Sequence, residues 1–183
     1  MATPEWMKKA AEQKGKSEHD PNFSKEMSKN WKLVGLSGYK TIKGSAYAWC
    51  GLFVASCLAA AGISYQKNGA GARNWKAYGQ EINWKMDGIP QGAIIHINHA
   101  HDCSSGKSNH VAFANGDCAP ADLNKPGAVI DLIGGNQGDK VKVSTFSVKE
   151  ICEVRWPKEK ALPGRIMKSI NCAYGKTGSE STR

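Results

Sequence analysis

Residues 49–62 read Trp49-Cys50-Gly51-Leu52-Phe53-Val54-Ala55-Ser56-Cys57-Leu58-Ala59-Ala60-Ala61-Gly62. The run is apolar nearly all round, carries no proline and stops at a glycine. That pattern predicts a buried helix from Cys50 with a glycine C-cap. Upstream, residues 5–14 place Trp6, Met7, Ala10 and Ala11 on one face of a short amphipathic helix, and residues 24–33 offer another. Downstream the pattern changes to strands, at 93–97, 110–114, 129–133, 141–146 and 151–156, separated by glycine- and asparagine-rich turns. Helices first and strands after predict an α+β fold with an antiparallel sheet.

The chain has 183 residues and a formal charge of +9. The length predicts a single domain over residues 1–157. Beyond it, residues 158–183 read as a basic tail, with six Lys and Arg against Glu159 and Glu180. The positive balance favours anionic partners, including the polymers of a cell envelope. The apolar run of residues 49–61 is well short of the ~20 residues that a membrane-spanning helix needs, so no span is expected. The N-terminus lacks the apolar core of a secretory signal, which implies synthesis in the cytoplasm. The six cysteines are scattered with no CxxC pair. Neither a zinc ribbon nor a dense disulfide framework is expected.

Cys50 stands where the irregular stretch becomes the apolar helix. A cysteine in a first helical turn faces unpaired N–H groups and the positive end of the dipole, both of which favour the thiolate. Cys57, mid-helix, reads as core. A thiol nucleophile needs a base, which can be distant in sequence. His110 opens the strand Asn109-His110-Val111-Ala112-Phe113-Ala114. A period of two puts His110, Ala112 and Ala114 on one face, leaving room beside the imidazole. Asn136, in Gly134-Gly135-Asn136-Gln137, offers a carbonyl that can fix the imidazole tautomer. His96, His99, His101 and Cys103 crowd one segment but match no metal-ligand spacing, so no metal is expected.

Tyr47-Ala48-Trp49-Cys50-Gly51-Leu52-Phe53-Val54, then His110-Val111-Ala112-Phe113, then Ile133-Gly134-Gly135-Asn136-Gln137 occur in this order. Together they resemble the CHAP amidase/peptidase family and its NlpC-type relatives in the papain-like superfamily. The closest likeness is to small wall hydrolases of phages and bacteria. Trp6-Met7, residues 69–75 and Arg155-Trp156-Pro157 also fit, so the resemblance covers roughly residues 4 to 157. It departs at Asn109, where glycine is frequent, and at Gly134, where some members are acidic. The long histidine-rich loop is a further departure.

The resemblance implies a papain-like fold and a peptidoglycan hydrolase of the endolysin kind. Cys50 would be the nucleophile, His110 the base and Asn136 the orienting group. Trp49, Arg73, Trp75 and Gln137 would meet the substrate. It implies no cofactor, a monomer, and action on the cell wall after release from the cytoplasm. An injected antibacterial amidase has the same chemistry. The rival of another class is a basic domain binding nucleic acid or anionic polymer, for which Trp31-Lys32 and Trp75-Lys76 would suit stacking. A zinc amidase using His96, His99, His101 and His110 is the third reading.

Overall fold

In the computed structural model, residues 2–38, 40–44 and 48–173 are described. Tyr47 of the cysteine motif and the last part of the basic tail lie outside them. The helices are α1 (Glu5–Glu12), α2 (Pro21–Ser28), α3 (Cys50–Ala60), α4 (Trp84–Asp87) and α5 (Pro120–Leu123), with 3-10 turns at Trp31–Val34, Ala72–Ala77 and Val148–Glu150. The strands are β1 (Gln80–Glu81), β2 (Ile94–Asn98), β3 (Asn109–Ala114), β4 (Val129–Gly134), β5 (Lys142–Ser147) and β6 (Ile151–Trp156). They form one antiparallel sheet in the order β1-β6-β2-β3-β4-β5. The protein is thus α+β, and its five long strands fall within a residue or so of the sequence expectation.

Helix α3 forms as its composition dictates. Residues 50–58 are all buried, so each apolar side chain leaves water at about 25 cal/mol per Å² of surface. The helix ends in a Schellman arrangement: Ile63 N–H donates to Leu58 O at 2.9 Å, and Gly62 N–H to Ala59 O at 3.0 Å. Gly62 takes φ +69° to allow it. Helix α3 packs against β3 and β4, with α1 and α2 against it. Three fully buried tryptophans, Trp31, Trp49 and Trp75, anchor the core. Among the described residues no helix is long and apolar enough to cross a membrane.

Four of the six cysteines pair, Cys103 with Cys152 and Cys118 with Cys172. Two bonds in 183 residues are not a dense framework. Cys50 and Cys57 are free and buried. The first sixteen residues of the tail, 158–173, pack on the domain. Ile166 N–H donates to Asp87 O at 2.7 Å, and Ile170 bridges Asp117. Ser169 Oγ meets Asp122 Oδ2 at 2.5 Å, and Ile166 and Ala173 are buried. Apolar side chains among the basic ones, together with Cys172, tie this segment to the body.

Candidate active site

Cys50 is the first residue of α3 and is 2 % exposed. Burial pushes its thiol up from the ordinary value. Backbone N–H groups of Val111, Gly51 and Cys50 itself act in the opposite sense, favouring the thiolate. The helix-start effect foreseen in the sequence is therefore present but outweighed in the closed site. The link to Val111 also places the sulfur beside β3, one residue along from His110. Cys57 is buried too, and desolvation raises its thiol with no compensating donor.

The approach of α3 to its neighbours depends on missing side chains. A Cβ on Gly135 would lie 2.4 Å from Trp49 Cζ3 and 2.6 Å from Phe53 Cβ. One on Gly51 would lie 1.9 Å from Gly69 O. The helix start is thus wedged between the 134–137 turn and the 66–71 loop.

His110 sits on β3, 7 % exposed, with its ring 5.8 Å from Phe146 and 6.3 Å from His99, near-parallel to both. Its pKa is lowered to about 4, by burial first and the neighbouring His99 second; Gln137 and Glu150 pull the other way. At neutral pH the ring is uncharged and able to take a proton. Its Nε2 is buried and closes no hydrogen bond, while the polar group turned toward it is Gln137.

Of the two turn residues, it is Gln137 rather than Asn136 whose side chain lies beside His110. Gln137 is 2 % exposed. Its Nε2 donates to Gly134 O at 3.3 Å, to Leu132 O at 3.4 Å and also to Lys142 O. With the amide nitrogen fixed among three carbonyls, Oε1 is left buried and without a bond. That is the acceptor an imidazole N–H needs. Asn136 instead takes φ +58° at the apex of the turn, and its side chain bonds no described residue. Asparagine tolerates this left-handed conformation better than most residues, which accounts for its presence there.

Of the expected substrate contacts, three are core. Trp49 is 1 % exposed and donates its indole N–H to Glu18 Oε2 at 2.8 Å. Trp75 is 0 % exposed and donates to Gly69 O at 2.8 Å. Gln137 is the buried partner just described. A tryptophan's size suits a groove wall and a core equally, and here the core claims it. Arg73 alone remains half-exposed. It lines a cavity of about 300 Å³ with Gln66, Asn68, Asn74 and Lys76, on the segment packed against the start of α3.

The histidine-rich segment does not assemble as a ligand set. His96 pairs with Val111 in the sheet register, whereas His110 pairs with Ile97, so the two imidazoles leave opposite faces. His96 Nε2 lies 2.8 Å from Asn109 Oδ1. His99 Nδ1 lies 2.9 Å from Glu150 Oε1, and Cys103 is consumed in a disulfide. Among the described residues, the side chains that converge closely enough for a cation are Glu18, His19 and Asp139, away from this segment.

Sequence reasoning missed Glu150 and the place of His99. A signal for Glu150 existed: Ser147-Val148-Lys149-Glu150 is the S-x-x-E pattern of a capping box, and it forms one here. Compared with protein-family models, with curated proteins and with solved structures, the chain finds no match.

Proposed function

We propose that the protein is a cysteine amide hydrolase of papain-like type, acting on bacterial peptidoglycan in the manner of an endolysin. The observation that carries the chemistry is the buried, uncharged His110, faced by the free carbonyl of Gln137 and one residue from the backbone group that touches Cys50. A protonated thiol and a neutral imidazole are the resting partners of general-base catalysis. Cys50 passes its proton to His110 as the sulfur attacks the amide carbon. His110 returns that proton to the leaving amine. Water, deprotonated by His110, then opens the thioester, and Cys50 regains its proton. Gln137 holds the imidazole, and the Cys50 backbone N–H is placed to stabilise the oxyanion.

The wall as substrate rests on the family resemblance and on the +9 charge, which suits an anionic envelope. Arg73 and its cavity supply the basic, amide-lined contact for a carboxylate-bearing stem peptide. The nucleic-acid reading loses its stacking platforms, since Trp31 and Trp75 are 1 % and 0 % exposed. The zinc reading loses its ligands, since His96 and His110 diverge. Two disulfides suit a protein that works in an oxidising compartment, whether it arrives there by lysis or by injection.

The test is turbidity loss of purified walls with wild type, Cys50→Ser and a chelator, followed by mass spectrometry of the released fragments. Lysis that survives chelation and disappears with Cys50→Ser supports the reading. Lysis by Cys50→Ser, or restoration by zinc after chelation, overturns it.

A further inference from the structure

The wall of the site beside His110 is built from parts that the hydrolytic scheme leaves unused. His99 follows β2 directly, and its ring lies near-parallel to His110 and to Phe146, at 6.3 and 5.8 Å. Glu150 Oε1 holds its Nδ1 at 2.9 Å. Glu150 is itself fixed, since its other oxygen accepts from Ser147 N–H at 2.8 Å in the capping box. The loop that follows His99 is tied down twice. Asn98 bonds Ala100 N, Asp102 N and Lys107 O across it, and Cys103–Cys152 joins it to β6, two residues beyond Glu150. A side chain with 38 % exposure is thereby held in one place against a buried ring.

We infer that His99, clamped by Glu150 and braced by the Cys103–Cys152 disulfide, is a positioning residue that fixes the plane and protonation of His110. This rests on the assignment of His110 as the base. His99 with Phe146 closes one side of the imidazole, as Gln137 closes its edge. The two members of the pair also act on His110 with opposite sign: a charge on His99 disfavours the imidazolium, and Glu150 favours it. Other groups nearby do less or act elsewhere. Cys50 comes from α3. His96, from β2, is the last of the charges acting on His110. Arg73 and Lys76 act on His96, Asp131 of β4 is bonded to Thr145, and His101 acts on Glu150.

The experiment is an NMR titration of the His110 ring in wild type, His99→Phe, His99→Gln and Glu150→Gln, with the pH profile of wall lysis beside it. His99→Gln keeps a donor for Glu150 but cannot carry a charge, so it also guards against misfolding in the Phe variant. Both His99 variants raise the His110 midpoint toward the ordinary histidine value, and Glu150→Gln lowers it. The acid limb of the rate profile moves in the same directions. In the Cys103→Ser/Cys152→Ser variant, the His99 and His110 resonances lose their mutual contact. Unmoved midpoints, or shifts of one sign in all variants, overturn the inference. A wild type that titrates as stated yet lyses no wall defeats the proposed function and leaves this relationship standing.

Discussion

His110 and Gln137 meet above Gly134: a β-carbon on that glycine would lie 3.3 Å from the Nε2 of His110 and 3.4 Å from the Cδ of Gln137. The same carbon would lie 2.8 Å from Ala112 Cβ. The two polar groups share a pocket that exists because residue 134 has no side chain. An acidic side chain there would displace one of them. The carboxamide of Gln137 takes that place.

Residues 136 and 137 should therefore separate cleanly under mutation. His110→Ala loses activity on the ~10²–10⁴-fold scale of general acid–base catalysis. Gln137→Ala lowers kcat but leaves a remainder, because the ring can still find the correct orientation part of the time. Asn136→Gly keeps near-normal turnover, since glycine accepts the positive φ at no steric cost. Turnover on a soluble muropeptide measures all three. Loss in Asn136→Gly with full activity in Gln137→Ala would return the orienting role to Asn136.

The two free thiols should differ in accessibility to catalysis rather than in burial. Both are buried, but only Cys50 has backbone donors to stabilise a thiolate. Iodoacetamide should modify Cys50 in step with loss of activity, and Cys57 only on unfolding. Mass mapping at partial inactivation gives the answer. Faster labelling of Cys57 contradicts the assignment of the nucleophile.

What the sequence disclosed and what it hid follow from the range of the interactions. Helix α3 and the five long strands were legible because periodicity, a glycine cap and turn residues are local signals. Which of Asn136 and Gln137 turns its side chain toward His110 was not, because it depends on the φ that the turn adopts when β4 meets β5. Trp49 and Trp75 misled for a related reason: their surroundings are supplied by Glu18 and Gly69, distant from one and six residues from the other. The disulfides were hidden because Cys103 reaches Cys152 only once β2 has paired with β6. The two-residue strand β1 and the one-turn helices α4 and α5 are too short to leave a periodic pattern.

Reductant should weaken this protein even though the proposed nucleophile is a thiol. The disulfides span sequence separations of 49 and 54 residues, and chain entropy assigns about 4 kcal/mol to each loop of that size. Reduction should lower the melting temperature, and lysis at elevated temperature should fail sooner with dithiothreitol than without. Differential scanning calorimetry with and without reductant checks it. An unchanged melting temperature after confirmed reduction would count against both bonds.

The buried imidazole of His110 should also leave a signature in stability against pH. In the unfolded chain His110 takes a proton near its ordinary value of 6.5, whereas in the folded protein it does so only near 4. Between those values the unfolded state binds more protons. Stability is therefore full above about 6.5 and falls as pH drops through this window, with the loss complete below about 4. A shift of this size corresponds to about 3 kcal/mol. His96, whose pKa is lowered mainly by burial, adds a loss of the same sign, so the total for wild type exceeds that of one site. His110→Gln removes the larger part while keeping a buried polar group, and its stability should decline less steeply across the same window. Urea unfolding at a series of pH values measures both slopes. If wild type and His110→Gln lose stability in parallel, folding does not lower the pKa of His110, and the buried, neutral imidazole on which the general-base scheme rests is lost as its support.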